Sequence, residues 1–371
     1  MAQQVGELNL LIPEVYLLQS NMAKSILKQI AESKRKKHNY SRWYTKELKS
    51  LLGNNWAMFY AILGGRMTGK SYALMRYLCN QKKKKGELVK NYWLRISETS
   101  IKFMLANKAE KLVDPDLVRE FDLELSTKGM NVYNRKQLFM QVMPLSAMGK
   151  LKGVAFYDKD FAGEINIILD EFQLEQGEKR TSFDILYNFI GMVENIARTT
   201  KNKIRIFLVG NTLEEASSIL KAFNFLPEGF GRFYLKRKRC IIENIAPTEE
   251  YLKDRTGSAA DILGGNDMSN YTNEIRKDLS LITKQRLHNP QYIIKFGKTA
   301  KDMFLVWENN VITRYKNQPV KNVCSMKPYL DSLYNPERRQ MVIDIFDAKG
   351  YKFDNLITLS YFQAELQKIR K

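Results

Sequence analysis

Apolar residues fall into short runs, most of them separated by amphipathic stretches. The first run, Trp56-Ala57-Met58-Phe59-Tyr60-Ala61-Ile62-Leu63, has the length and aromatic content of a buried strand. A helical pattern follows over Tyr72–Asn80. The lysines Lys82–Lys85 and then Gly86 close it, a placement that suits the negative end of the helix dipole. Asn91-Tyr92-Trp93-Leu94-Arg95-Ile96 is a second strand. Residues 99–121 look helical, with a break at Asp114-Pro115. Val132-Tyr133, the turn Asn134-Arg135-Lys136 and Gln137–Met143 form a hairpin pattern. After a loop rich in Gly and Lys over Pro144–Asp160 comes a third apolar strand, Ile165–Leu169. Ser182–Arg198 is an amphipathic helix, with Phe183, Leu186, Phe189, Ile190, Val193 and Ile196 near one face. Ile204–Val209 is another strand. Strands separated by helices predict an α/β fold around a parallel sheet.

The texture differs at both ends. Leu10–Ile30 is apolar at helical spacing, with Pro13 in its first turn, and Ser33-Lys34-Arg35-Lys36-Lys37-His38 is a basic loop. Ala246–Asn273 carries Gly257, Gly264-Gly265, Asn266 and several hydroxyl residues, the composition of a linker. Beyond it, Tyr292–Phe296, Met303–Trp307 and Val311-Ile312-Thr313 are short strands, and a helix is expected near Ser360–Lys371. The expected organisation is a helical extension over 1–50, an α/β unit over 51–245, a linker over 246–274 and a small α+β unit over 275–371.

Composition narrows the function. The chain has 371 residues, 44% of them hydrophobic, enough for a substantial core. Sixty Lys+Arg against forty Asp+Glu leave a net charge of +20, which favours polyanionic partners. No apolar run is long enough to span a bilayer, and no signal peptide is visible, so no membrane partner is expected. Cys79, Cys240 and Cys324 are isolated and read as thiols in a reducing compartment. With only His38 and His288, a histidine-rich zinc site or a Ser-His-Asp triad is not expected.

The chemistry is concentrated after the apolar strands. Gly64-Gly65-Arg66-Met67-Thr68-Gly69-Lys70-Ser71, followed by Tyr72, matches the Walker A pattern. Its glycines let the backbone wrap phosphates, so that amide groups and the helix N-terminus face negative charge. Lys70 would reach the outer phosphates of ATP, and Ser71 would hold Mg²⁺. Ile165–Leu169 followed by Asp170-Glu171 has the form of Walker B. Asp170 would complete the Mg²⁺ shell, and Glu171 would orient or deprotonate the attacking water. Asn211 stands where a γ-phosphate sensor stands in ring ATPases, and equally where a plain turn residue would stand. Arg198 closes the helix after Walker B. It is either a helix-terminal cation or an arginine finger reaching a neighbouring subunit's ATP. Arg66 and Arg95 are further candidates for stabilising phosphate charge. The run Lys82–Lys85 reads as a solvated helix end.

Phe59-x-x-x-x-Gly64-Gly65-Arg66-x-x-Gly69-Lys70-Ser71-Tyr72, Tyr92-x-x-Arg95, Pro144-Leu145-Ser146, Leu169-Asp170-Glu171-Phe172 and the strand ending in Asn211 occur in an order that resembles the DNA-packaging ATPases of phi-29-type podophages, relatives of the large terminases. The resemblance runs from about residue 55 to 245, and more loosely through the C-terminal hairpin. It implies a P-loop ATPase domain of the ASCE/RecA-like type and a C-terminal RNase H-like domain. It also implies a homomeric ring, a pentamer, at the portal (connector) of a prohead. That ring drives double-stranded DNA inward with ATP, and packaging RNA bridges motor and capsid. It would act in the host cytoplasm, transiently on the prohead, and be absent from the mature virion.

The resemblance assigns the trans arginine to Arg198 and a pore-lining role to Lys150 and Lys152, which as a solvated loop would look the same. The C-terminal unit departs from an active nuclease. Its expected first strand offers Lys295 and no Asp, while Asp302, Asp331, Asp344 and Asp347 fall in a turn or in segments that look helical or looped. A two-metal site needs clustered carboxylates, so a nuclease-dead domain is expected. Its basic residues, Lys295, Lys298, Lys301, Arg314, Lys316 and Lys321, make it a candidate for RNA or portal contact. Two alternatives are a cellular P-loop translocase or helicase, and a non-catalytic nucleic-acid-binding assembly factor.

Overall fold

A computed structural model describes residues 45–148, 160–172, 181, 183–197, 203–211, 217–258, 262, 279–288, 290–297, 299–315, 330–331 and 336–370. The helix expected over Leu10–Ile30 and the basic loop after it lie outside the described residues.

The elements of the larger unit are α1 (Thr45–Leu52), β1 (Phe59–Leu63), α2 (Lys70–Lys85), β2 (Val89–Arg95), α3 (Glu98–Ala109), α4 (Pro115–Glu120), β3 (Leu125–Lys128), β4 (Asn131–Asn134), β5 (Gln137–Pro144), β6 (Glu164–Asp170), α5 (Ile185–Ile196), β7 (Lys203–Gly210), α6 (Ser218–Phe223), β8 (Gly231–Leu235), β9 (Cys240–Asn244) and α7 (Glu249–Arg255). The strands form one sheet in the order β3-β4-β5-β2-β6-β7-β1-β9-β8. From β5 through β9 every neighbouring pair is parallel; the outer hairpin strands β3, β4 and β8 run antiparallel to their neighbours.

The central strands read as continuous apolar runs because both faces of the sheet are covered. Tyr60 and Ile62 join a core with Leu74, Leu78 and Phe207 on one face. Ala61 and Leu63 join Leu169, Leu208 and Phe189 on the other, as the two-residue period of a strand requires. Buried polar residues interrupt these runs, and they are hydrogen-bonded. Asn166 on β6 is fully buried and donates to Asn91 Oδ1 and Gln81 Oε1, each at 2.9 Å, while Asn91 donates to Phe139 O at 3.2 Å. Arg205 on β7 is buried and donates to Leu52 O at 3.0 Å and Asn54 O at 2.9 Å, fastening the α1–β1 connection to the sheet.

Two expected boundaries look different in three dimensions. Helix α1 crosses residue 50, where the N-terminal extension was expected to stop, and buries Leu48, Leu51 and Leu52 in the larger unit's core. Each buried leucine contributes about 1.5–3 kcal/mol, which ties this helix to the sheet. Inside the expected linker, Thr248 caps α7 by accepting from Tyr251 N at 3.2 Å, and the Tyr251 side chain is fully buried. The strand expected over Met303–Trp307 has those bounds, β6 and β7 each extend one residue beyond the expected limits at both ends, and the helix expected over Ser182–Arg198 runs over Ile185–Ile196, with Asp184 as its cap.

The second sheet is β13-β10-β11-β12-β14, built from β10 (Pro290–Lys295), β11 (Met303–Trp307), β12 (Val311–Arg314), β13 (Leu330–Asp331) and β14 (Lys352–Phe353). Helices α8 (Pro336–Asp347) and α9 (Leu356–Ile369) belong to this unit. Asp331, expected in a helix or loop, instead lies on a strand and pairs with Lys295. Phe362 of α9 is the hub of the core: Phe296, Phe304, Phe346, Tyr351 and Phe353 all place ring centroids 5.1–5.8 Å from it. The units meet where Lys221 of α6 lies 5.1 Å over the Tyr361 ring, which Arg314 also covers at 3.9 Å, and where Lys284 pairs with Glu228 at 3.2 Å. No helix among the described residues is long and apolar enough to cross a membrane.

Because Phe362 touches five rings, Phe362→Ala is expected to cost about 3–5 kcal/mol of stability, measured by urea denaturation. A loss below about 1 kcal/mol would remove Phe362 from the centre of this core.

Candidate nucleotide-binding site

Parallel pairing brings the chemically interesting residues to one edge. Leu63 pairs with Gly210, Asp170 with Val209, and Leu94 with Leu169. The loops after β1, β2, β6 and β7 therefore emerge together, at the carboxyl ends where open α/β sheets bind ligands.

The loop after β1 folds tightly. Gly69 takes φ 81°, a left-handed conformation suited to glycine, and forms the N-cap of α2 without any side-chain cap. A Cβ at Gly64 would sit 3.3 Å from Ile245 Cβ, so β9 and its exit press directly on this glycine. The first turn of α2 carries no acidic residue, leaving its amide groups and positive dipole end for an external anion. Lys70 is buried and turns back into its own loop, donating to Gly64 O at 2.9 Å and Gly65 O at 2.7 Å. Burial brings its pKa down to about 8, against the opposing pull of Asp170 and Glu171.

Asp170 ends β6 and is buried. Ser71 Oγ donates to its Oδ1 across 3.5 Å, although the two are 99 residues apart in sequence. Arg95, at the end of β2, reaches Asp170 Oδ2 at 2.8 Å and also pairs with Glu171. Burial pushes the Asp170 carboxyl up, while Arg95 and Lys70 hold it down. Glu171 is half exposed and adopts φ 55°, an uncommon conformation for a non-glycine residue that costs about 1–3 kcal/mol and turns the chain sharply off the strand. Asn211 is the residue immediately after β7, and β7 lies between β1 and β6 in the sheet. A hydroxyl and a carboxylate facing each other beside an open helix N-terminus form a hard oxygen donor pair, which fits Mg²⁺ bound to a polyphosphate.

Residues 39–347 match the family model described as podovirus DNA encapsidation protein (Gp16). The chain belongs to this family. No curated protein matches the sequence. Among solved structures, the encapsidation protein is similar to a chain of the bacteriophage Phi-29 viral genome packaging motor assembly: the TM-score is 0.56 and the identity 19%, with 87% of this chain and 98% of that chain covered. It is also similar to the Phi-28 gp11 DNA packaging motor, with a TM-score of 0.54 and 15% identity over 86% of this chain and 97% of that one. The protein is accordingly a viral DNA encapsidation protein with a mixed α/β fold built on a large, mostly parallel sheet.

Of the residues singled out from sequence, the encapsidation protein brings together Gly64–Tyr72, Asp170, Glu171 and Asn211. Arg198, Lys150 and Lys152 lie outside the described residues, as do Lys298, Lys316 and Lys321. Arg95, a minor candidate by sequence, is the cation that holds the acidic pair. Tyr251 went unnoticed because it sits in a stretch with linker composition; its hydroxyl donates to Arg66 O at 2.6 Å and braces the phosphate loop. Only its isolated aromatic character in a polar segment could have marked it.

Removing Arg95 leaves Asp170 buried without its main counter-charge. Arg95→Ala is expected to cost about 3–5 kcal/mol at neutral pH, read by chemical denaturation. Asp170 in this variant has a folded-state pKa above its unfolded value, so it takes up a proton more readily when folded and falling pH favours the folded state. The deficit relative to the parent protein should therefore shrink toward pH 5. A deficit independent of pH would mean that the loss comes from packing and not from the stranded carboxylate.

Proposed function

We propose that the encapsidation protein hydrolyses ATP with Mg²⁺ at this edge and uses the reaction to drive double-stranded DNA into a preformed prohead. The observation that carries this reading is the convergence of Lys70, Ser71, Asp170 and Glu171, from two distant loops, around one uncapped helix N-terminus. A strand inserted between the phosphate-loop strand and the acidic strand supports the ASCE/RecA-like assignment.

Each group then has a role. The amides of Gly65–Ser71 cradle phosphate oxygens, and Lys70 exchanges its two loop carbonyls for the outer phosphates. Ser71 and Asp170 hold the metal, which supplies neutralisation of phosphate charge when bound. Glu171 orients the attacking water and accepts its proton. For that, its carboxylate must leave Arg95, so the Arg95–Glu171 pair is the resting arrangement. Arg95 released in this way is well placed to meet phosphate charge. Asn211 contacts the γ-phosphate from the neighbouring strand, and Arg198 acts on the site of an adjacent subunit in a homomeric ring, a pentamer.

The same reading extends to the rest of the chain. Lys150 and Lys152 line the DNA path, holding phosphates without reading bases. The domain division follows the two sheets, with the second an RNase H-like unit that lacks nuclease activity. Asp302 caps its own turn through Thr299 Oγ1 at 2.7 Å, Asp344 accepts from Gln340 at 2.7 Å, and Asp347 pairs with Arg370, which supports structural roles for these carboxylates. Portal and packaging RNA are the expected partners, with action in the host cytoplasm on the prohead.

An ATPase assay with proheads and DNA tests this. Lys70→Ala should abolish nucleotide binding, whereas Glu171→Ala should bind normally and turn over about 10²–10⁴-fold more slowly. Normal binding by the first variant, or full turnover by the second, would remove the site from the reaction. Mixing Arg198→Ala with Glu171→Ala subunits should restore activity to rings that contain both. Mixed rings that assemble on the prohead and stay inactive would assign Arg198 to its own subunit.

A further inference from the structure

The opposite, amino-terminal edge of the large sheet is strongly basic, whereas the carboxyl edge carries a balanced ion cluster. The β8–β9 hairpin turns through Lys236-Arg237-Lys238-Arg239, four consecutive exposed cations. Among the described residues none of the four has an ion-pair partner. Beside them stand two exposed aromatic residues, Trp56 at 41% and Tyr234 at 54% exposure, packed edge to face with ring centroids 6.4 Å apart. The backbone fixes this grouping: Arg239 O accepts from Met58 N at 2.8 Å and Phe59 N at 3.0 Å, binding the basic turn to the segment that carries Trp56.

The basic character continues along the same edge. Lys203, at the start of β7, reaches Asn55 at 3.3 Å and Glu164 at 3.3 Å. Glu164 also pairs with Lys85 at 2.7 Å, the last residue of α2. Lys83 and Lys84, on the same last turn, are exposed. Two exposed aromatic rings thus stand beside the four cations of the turn, which have no ion-pair partner among the described residues.

We propose that this edge, centred on Trp56, Tyr234 and Lys236–Arg239, is a binding site for an unpaired nucleic-acid strand, distinct from the nucleotide site at the other end of the strands. Cations gather phosphates along a backbone, and exposed rings stack on bases, each stacked base contributing about 1–3 kcal/mol. A fully paired duplex offers no unstacked base to the aromatic pair, so the rings favour single-stranded segments and loops. Lys, Arg and aromatic side chains read phosphates and base faces, which RNA and DNA share, so an unpaired strand of either kind offers the recognised chemistry.

The test uses the full chain and fluorescence anisotropy with a labelled oligouridylate, its deoxy counterpart of roughly a dozen nucleotides, and a DNA duplex of similar length. Trp56→Ala with Tyr234→Ala should weaken single-strand binding about tenfold or more and leave duplex binding nearly unchanged. Lys236→Ala, Arg237→Ala and Lys238→Ala together should weaken single-strand binding and flatten its salt dependence. Retained ATP binding at the opposite edge checks that each variant is folded. A loss confined to one sugar supports the site and identifies its source. Single-strand affinity unchanged in both variants overturns the proposal. So does an equal loss on duplex from the aromatic variant, which would make the surface a phosphate grip only. Competition by polyglutamate as effective as by the oligonucleotide would also overturn it, in favour of an acidic protein surface.

Discussion

Parallel strand pairing is the constraint on which the rest of this molecule depends. A parallel ladder makes each strand end at the same edge, so loops from β1, β2, β6 and β7 emerge together despite their separation in sequence. The register then sets the chemistry. Asp170 pairs with Val209, two residues before Asn211, and Leu63 pairs with Gly210 just before the loop that begins at Gly64. A slip of one residue would turn Asp170 to the opposite face of the sheet, away from Ser71.

Charge balance sets the resting state of the site. Lys70 is buried with carbonyl partners, Asp170 is buried against Arg95, and Glu171 is drawn onto the same guanidinium. The buried charges, Lys70 and Asp170, are tolerated because carbonyls and opposite charges offset them. An incoming anion or cation would change the balance of all four ions at once.

Helix α2 joins the two chemically distinct ends of the sheet. Its N-terminus is uncapped and faces the phosphate loop, and its last turn carries Lys82–Lys85 at the basic edge. Sixteen residues of helix span roughly 24 Å, so the ends are separated enough for different polyanions to be held independently. The +20 charge is thus unevenly used, with few carboxylates and many cations at one end and a balanced ion cluster at the other.

The sequence by itself determined the type and order of β1, β2, β6, β7 and the helices between them, because buried parallel strands leave unbroken apolar runs and helices leave a 3.6-residue period, but it did not mark the β8–β9 hairpin or α1. It also marked Gly64–Ser71 and Asp170-Glu171 as candidates, because their motifs are local in sequence. It was blind where a residue's role comes from a distant partner. Arg95 looks like any strand-end arginine until β2 lies beside β6. Tyr251 belongs to a polar, glycine-containing stretch until α7 packs under the phosphate loop. Lys82–Lys85 and Lys236–Arg239 are ordinary charge runs until the sheet sets them on one edge with Trp56 and Tyr234. Composition and periodicity record which neighbours a residue has along the chain. Only tertiary structure decides which charges, rings and backbone carbonyls meet across it, because those meetings are fixed by strand order and register.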